Sequence, residues 1–303
     1  MPKTLIILLG PTGVGKTELS IEIAKYYHTE IISCDSRQIY KEMKIGTAVP
    51  DQDLLATIPH HFIQSHSIHQ YYNASKFEQE VLEKLEQLFC NHDVILMTGG
   101  SMLYIDALCK GIDDLPNVDE QIRNSLINRF KTEGIEPLKE SLSQLDPVYF
   151  QEVDLKNPKR ILHALEICLM TGQPYSSFRT NPSKVRNFNI IKIGLNRDRE
   201  VLYDRINRRV DLMFSDGLVK ESQELYPFKD LNALNTVGYR ELFDFFEEKI
   251  TLMEAKEKIK ANSRKYARKQ LTWFRHDPEI RWFLPEMRDE IIFYIDRELK
   301  NKY

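Results

Sequence analysis

Residues 5–9, Leu-Ile-Ile-Leu-Leu, run without a break into Gly10-Pro11-Thr12-Gly13-Val14-Gly15-Lys16-Thr17. Five consecutive apolar residues ending at a glycine read as a strand buried on both faces. Leu19, Ile23, Ala24 and Tyr27 then recur at helical spacing. Strand, glycine-rich octet and helix, in that order, make the P-loop pattern G-x-x-x-x-G-K-[ST]. A strand feeding a helix at its carboxyl end is the first half of a parallel crossover, so the chain is committed to an α/β sheet from its first thirty or so residues. The same octet constrains the ligand. Its backbone N–H groups point inward at a helix start and cradle a di- or triphosphate. Lys16 is placed to contact terminal phosphate oxygens, and the Thr17 hydroxyl to ligate Mg²⁺. A chance glycine-rich turn does not explain a full match in this setting.

The α/β rhythm continues. Residues 30–34 read as a second strand ending at Asp35. Residues 75–89 form an amphipathic helix with Phe77, Val81, Leu82, Leu85 and Leu88 on one face. Residues 94–97 are a short buried strand leading into Thr98-Gly99-Gly100-Ser101. A parallel sheet flanked by helices follows from this order. From about Leu115 to Phe188 the pattern turns helical, with no convincing strand. Asn157-Pro158 reads as an N-cap with proline at the first helical position, and Gly172 as the stop. Residues 189–195 return to a strand pattern, helices dominate from Arg199, and Thr251 with Glu254 forms a capping box opening a helix to about Phe274. The expected organisation is a P-loop core of residues 1–114 and 189–303, interrupted by a helical insertion of residues 115–188. A chain of 303 residues can hold both.

The formal net charge is −3, so any nucleic-acid site must be a local basic patch. Cys34, Cys90, Cys109 and Cys168 show no C-x-x-C pairing, which argues against a zinc site or a disulfide framework. They read as small buried hydrophobes in a reducing compartment. No apolar run approaches membrane-spanning length, and the N-terminal run is too short for a signal peptide. A cytoplasmic protein with no membrane association is expected.

Four features carry the chemistry. Asp35-Ser36-Arg37-Gln38 follows the second strand, and the carboxyl edge of such a sheet faces the ligand crevice. A carboxylate there can bind Mg²⁺, orient a substrate, act as general base, or simply cap a helix. Hydrolytic P-loop enzymes end a strand like 94–97 in an aspartate that helps hold Mg²⁺. Here Thr98-Gly99-Gly100-Ser101 follows, with no carboxylate until Asp106, which favours group transfer over hydrolysis. The glycines admit a close substrate approach or make a plain turn. Arg205 and Arg209 are four apart and share a helical face. They either clamp a departing phosphate or pair with Glu200, Asp204 and Asp211 at the surface. Residues 256–275 hold eight Lys or Arg against one acid, with Tyr266, Trp273 and Phe274 interleaved. That suits an RNA backbone with stacking, or a solvated basic helix with its aromatics in the core.

Together these residues resemble the tRNA dimethylallyltransferase (tRNA isopentenyltransferase) family, over nearly the whole chain. The P-loop is similar to that family's. So is Ser33-Cys34-Asp35-Ser36-Arg37-Gln38-Ile39-Tyr40, which matches its S-x-D-S-x-Q-x-Y signature. Gly46-Thr47-Ala48, Pro59-His60-His61, residues 99–104, residues 238–242 and residues 265–275 fit in order. The resemblance implies transfer of a dimethylallyl group from dimethylallyl diphosphate to N6 of adenosine 37 of tRNA, with pyrophosphate leaving and Mg²⁺ assisting. It implies Asp35 as general base, and Thr12, Lys16 and Thr17 on the diphosphate and its metal. It implies a pyrophosphate-binding helix that includes Arg205 and Arg209. The tRNA contacts it implies are Asp35, Ser36, Arg37, Gln38, Ser101, Arg123, Lys159, Arg160 and His163, to which the basic helix adds Lys265 and Arg268. The insertion would grip the anticodon stem-loop, and a monomer is expected.

Three departures stand out. Lys159 and His163 replace the glutamine and second arginine of the family's Gln-Arg-x-x-Arg, and Gln64 replaces an aspartate that often follows the His-His pair. The rival readings are a small-molecule kinase and an adenylate prenyltransferase acting on free nucleotide. Both account for the P-loop and Asp35, and neither needs a basic helix or an insertion.

Overall fold

The computed structural model describes residues 2–113, 119–179 and 184–301. Two compact units emerge, one made of Met1–Cys109 and Val185–Tyr303, the other of Lys110–Lys184. The boundary expected at residues 114–115 lies outside the described residues.

The first unit begins with β1 (Thr4–Leu9), α1 (Lys16–Tyr26), β2 (Ile31–Cys34), α2 (Gln52–Thr57), β3 (His60–His61), α3 (Ala74–Phe89), β4 (Val94–Gly99) and α4 (Met102–Lys110). Strands pair in parallel in the order β3-β2-β4-β1, and the sheet continues through β5 (Asn189–Leu195) and β6 (Arg281–Phe283). Alternation explains why the strands are apolar throughout. Leu5, Ile7 and Leu9 of β1 enter one buried cluster, while Ile6 and Leu8 enter a second one. Ile95 and Met97 of β4 side with the first, Val94 and Leu96 with the second. Both faces are therefore covered, as a parallel sheet with helical crossovers requires. β4 extends two residues past the expected 94–97, through Thr98 and Gly99, because its ladder with β1 and β2 continues there. β3 and β6, two and three residues long, are too short to leave a periodic signal.

The second unit holds α5 (Glu120–Glu133), α6 (Glu136–Leu145), α7 (Pro147–Glu152), α8 (Pro158–Thr171) and α9 (Tyr175–Phe178). It has its own core, including Leu126, Leu138, Leu142, Ile161 and Leu165. The side chain of Asn157 caps α8, and Gly172 ends it at φ +68° with its N–H on the Cys168 carbonyl.

The first unit resumes with α10 (Arg199–Ser215), α11 (Leu218–Leu225), α12 (Tyr239–Phe246), α13 (Leu252–Phe274) and α14 (Arg288–Asn301). Thr251 and Glu254 close the expected capping box at α13, an end condition worth about 1 kcal/mol. No helix is long and apolar enough to cross a membrane among the described residues. The cysteines are free, but the expectation that all four are buried is corrected: Cys34 and Cys168 are buried, Cys109 is intermediate and Cys90 is exposed. Cys90 follows the last turn of α3, where the chain leaves the core.

Candidate active site

The sheet register brings the site together. Leu9 and Cys34 both lie opposite Gly99, and Leu9 lies opposite Gly194. Gly10, Asp35 and Gly100 therefore follow their strands at one level on the carboxyl edge, the ligand edge of a doubly wound sheet. Gly15 caps α1 at φ +107°, a left-handed conformation that costs a side-chain-bearing residue dearly. A Cβ there would also face Arg197 Nη2 at 3.5 Å and Arg205 Nη2 at 3.8 Å.

Three arginines reach the loop. Arg197 Nε donates to the Val14 carbonyl at 2.8 Å, Arg205 Nε to the Gly13 carbonyl at 2.9 Å, and Arg209 Nη1 to the Thr12 hydroxyl at 3.2 Å. On α10 this geometry separates Arg205 and Arg209 from the surface pairs. Surface pairing goes to Arg208, which meets Asp204 at 2.8 Å, and Asp211 is taken by lysines of α13. Arg205 and Arg209 face the P-loop instead.

Lys16 Nζ donates to the carbonyls of Gly10 and Pro11, both at 2.9 Å. Burial of this ammonium, then the Arg209 charge, lowers its pKa to about 8, against the opposing pull of Asp35. Burial likewise lowers Arg209, while Asp35 and Glu18 hold it up. A diphosphate adds negative charge and favours protonated Lys16, so binding above about pH 8 must take up a proton. We expect the Kd for a diphosphate ligand to rise with pH beyond that point, by up to about tenfold per unit. Calorimetry across the range checks this, with Lys16→Met as the variant that removes the Lys16 contribution. A wild-type profile no steeper than the variant's contradicts it.

Asp35 forms a tight turn with its own chain. Its Oδ1 accepts from the N–H groups of Arg37 at 2.9 Å and Gln38 at 3.2 Å. The Ser101 hydroxyl accepts the Ser36 N–H at 2.8 Å and is itself buried. Arg37 Nη1 donates to the carbonyls of Asn232 and Ala233, at 3.1 and 3.0 Å. Gln38 Nε2 donates to those of Thr47 at 3.0 Å and Ala48 at 2.9 Å. Ser101, Arg37 and Gln38 thus brace the Asp35 turn. Glu221 completes the brace, taking the Lys44, Ile45 and Gly46 N–H groups at 2.7–3.0 Å and the Tyr239 hydroxyl at 2.7 Å.

The basic stretch separates into two stripes. Lys256 and Lys260 pair with Asp211 at 2.8 and 2.9 Å, Arg264 Nη1 meets Asn207 at 2.5 Å, and Arg268 Nη1 meets the Tyr203 hydroxyl at 3.2 Å. These residues, four apart on α13, form a ladder with residues four apart on α10. Lys258, Lys265 and Lys269 lie on another face and are exposed. Four cations of the basic helix thus touch α10, while the lysine stripe stays exposed. Between the lysine stripe and the core, Tyr266 and Trp273 are 38% and 39% exposed. Burial and the Asp35 carboxylate push the Tyr266 phenol up to about 12.

The helical unit carries its own set. Arg123 Nε and Nη2 grip the buried Glu166 carboxylate at 2.6 and 2.9 Å, and His163 Nδ1 lies 3.4 Å from it. Lys159 and Arg160 are exposed in the first turn of α8. The sequence reading missed Glu166, because one acid inside an amphipathic helix carries no signal of its own.

Residues 38–277 match the family model described as IPP transferase. The chain belongs to that family. As an IPP transferase family member it is similar to tRNA dimethylallyltransferase 1 of Phocaeicola vulgatus, 56% identical over 295 residues, 97% of this chain and 98% of that one. It is also similar to tRNA dimethylallyltransferase 1 of Bacteroides fragilis, 56% identical over 298 residues, 98% of this chain and 99% of the relative. The crystal structure of a full-length tRNA isopentenylpyrophosphate transferase from Bacillus halodurans superposes with TM-score 0.72 at 32% identity, covering 99% of this chain and 98% of that one. The matched family segment opens at Gln38, just after Asp35. The near-complete overlap with the relatives takes in the P-loop as well.

Proposed function

We propose that the chain is a tRNA dimethylallyltransferase that moves a dimethylallyl group from dimethylallyl diphosphate to N6 of adenosine 37 and releases pyrophosphate. The observation carrying this reading is the pairing of a P-loop, faced by Arg205 and Arg209, with a carboxylate at the same sheet edge and no acid closing β4. An exocyclic amine is a poor nucleophile, and a carboxylate that accepts its proton during attack lowers the barrier. The allylic C–O bond breaks, the C–N bond to N6 forms, and negative charge gathers on the departing diphosphate. In this reading the charge would be met by Lys16 and the arginines, which already stand against the loop through its own carbonyls and the Thr12 hydroxyl.

Mg²⁺ fits this donor set. The Thr17 hydroxyl, at the start of α1 beside Lys16, would share the ion with the substrate's own oxygens, as this strongly hydrated cation commonly does. Bound there, the ion would supply charge neutralisation for the leaving group. Arg123, Lys159, Arg160 and His163 take the anticodon stem-loop on the helical unit. On the first unit the Asp35–Gln38 turn and Ser101 frame the target adenosine, while Lys265 and Arg268 meet RNA phosphates. The protein works as a cytoplasmic monomer.

Pyrophosphate release should require both tRNA and dimethylallyl diphosphate. Release that proceeds without tRNA but with free adenylate supports the nucleotide prenyltransferase. Transfer of the ATP γ-phosphate to a small acceptor supports the kinase.

Removing the charge of Lys265 and Lys269 together should weaken tRNA binding and flatten its salt dependence by roughly 0.7–0.9 log unit per lost phosphate contact. Filter binding across a salt series checks this. An unchanged slope returns the lysine stripe to ordinary solvated surface.

A further inference from the structure

Gln270 lies on the inner face of α13 and is 3% exposed. Its Oε1 accepts the Thr12 N–H at 2.9 Å, and its Nε2 donates to the Gly100 carbonyl at 2.8 Å. One carboxamide thereby ties together segments far apart in sequence: the P-loop, the turn after β4, and the helix that carries Lys265, Tyr266 and Lys269. The surrounding backbone is shaped for it. A Cβ on Gly100 would meet Gln270 Nε2 at 2.3 Å and the Gly10 carbonyl at 3.1 Å, so glycine at this position makes room for the amide. Thr12 is held from a second side as well, its hydroxyl accepting from Arg209.

The choice of side chain follows from the chemistry. A carboxamide presents one acceptor and one donor on a rigid planar group. Ionised glutamate only accepts, asparagine is one methylene too short, and an aliphatic residue does neither. The Thr12 N–H is spent on Gln270, so the helix acts through the loop and not on the ligand. That matters because stabilisation of a leaving diphosphate depends on N–H groups held in place beforehand, and a displacement of about 1 Å in such a site costs on the order of 10²-fold.

We propose that Gln270 is a positioning residue for the diphosphate loop. It fixes the Thr12 end of the P-loop against the Gly99–Gly100 turn and against α13, so that diphosphate affinity depends on it while RNA affinity does not. The inference rests on the reading of residues 10–17 as the diphosphate cradle.

The test uses the full chain with Gln270→Ala and Gln270→Glu. The KM for dimethylallyl diphosphate at saturating tRNA should rise about tenfold or more in both, with the tRNA Kd, measured alone, within about twofold of wild type. Gln270→Glu gives a second readout. A protonated glutamate restores both contacts, its carbonyl accepting from Thr12 and its hydroxyl donating to Gly100, and burial raises the pKa of such a group. The kcat/KM of Gln270→Glu relative to wild type should therefore climb as pH falls from about 8.5 to about 6, while the ratio for Gln270→Ala stays flat. If the alanine variant does not fold, the glutamate pH series carries the test. An unchanged KM in both variants overturns the proposal, and so does a tRNA Kd that weakens in step with KM. Lys16→Ala separates the two levels. If it too leaves diphosphate affinity intact, the cradle reading itself fails; if it abolishes affinity and the Gln270 variants do not alter it, only the role of Gln270 is lost.

Discussion

Asp35→Ala is expected to lower kcat by about 10²–10⁴-fold while dimethylallyl diphosphate still binds with close to wild-type affinity. The size follows from asking a neutral exocyclic amine to attack without a proton acceptor. The geometry separates two roles for the carboxylate. Its Oδ1 is occupied by the Arg37 and Gln38 N–H groups, which leaves Oδ2 as the oxygen available to a substrate proton. Asp35→Asn keeps an acceptor for both N–H groups and so preserves the turn, yet it cannot take a proton at pH 7. If Asp35 is the base, the asparagine variant is about as slow as the alanine variant. Near-wild-type turnover in the asparagine variant would reduce Asp35 to a loop-shaping residue. Single-turnover rates at saturating diphosphate, with binding measured separately, decide between these results.

Arg205→Ala should reduce kcat by about 10²–10³-fold, the range typical of losing a donor aimed at developing charge. Arg205 Nε anchors on the Gly13 carbonyl, and Nη2 lies 3.8 Å from where a Gly15 Cβ would be. Arg205→Lys should recover only part of the loss, because an ammonium cannot both hold Gly13 and present a second N–H in a fixed fork. Arg209→Ala should raise the KM for the diphosphate as well as lower kcat, since Arg209 also holds the Thr12 hydroxyl. Steady-state kinetics on the three variants separate these patterns. Equal, small effects on all three would place the leaving-group charge elsewhere.

What was legible in the sequence and what was not divides along a physical line. The P-loop, the Asp35 turn and the caps at Asn157, Gly172 and Thr251 are local, so the residue types that satisfy a nearby backbone appear within a few positions of it. Gln270 lies 258 residues from Thr12, and nothing near it in the chain says that its amide completes another segment's turn. Glu166, in the helical unit, and Glu221, which holds the Lys44, Ile45 and Gly46 N–H groups, were missed for the same reason: a polar residue on the inner side of a helix has no periodic signature of its own. The basic helix is an intermediate case. Its i+4 row of Lys256, Lys260, Arg264 and Arg268, and the matching row Tyr203, Asn207, Asp211, were both visible as spacings. Only the packing of α10 on α13 shows that the two rows face each other.

The most direct test of the account is nucleoside mass analysis of tRNA incubated with the protein, dimethylallyl diphosphate and Mg²⁺. The account predicts adenosine carrying one dimethylallyl group on N6, confined to position 37 and formed about 10²–10⁴-fold more slowly when Asp35→Ala replaces the wild type. Unmodified tRNA in that reaction, with prenyl transfer to free adenylate or phosphoryl transfer from ATP in its place, would contradict it.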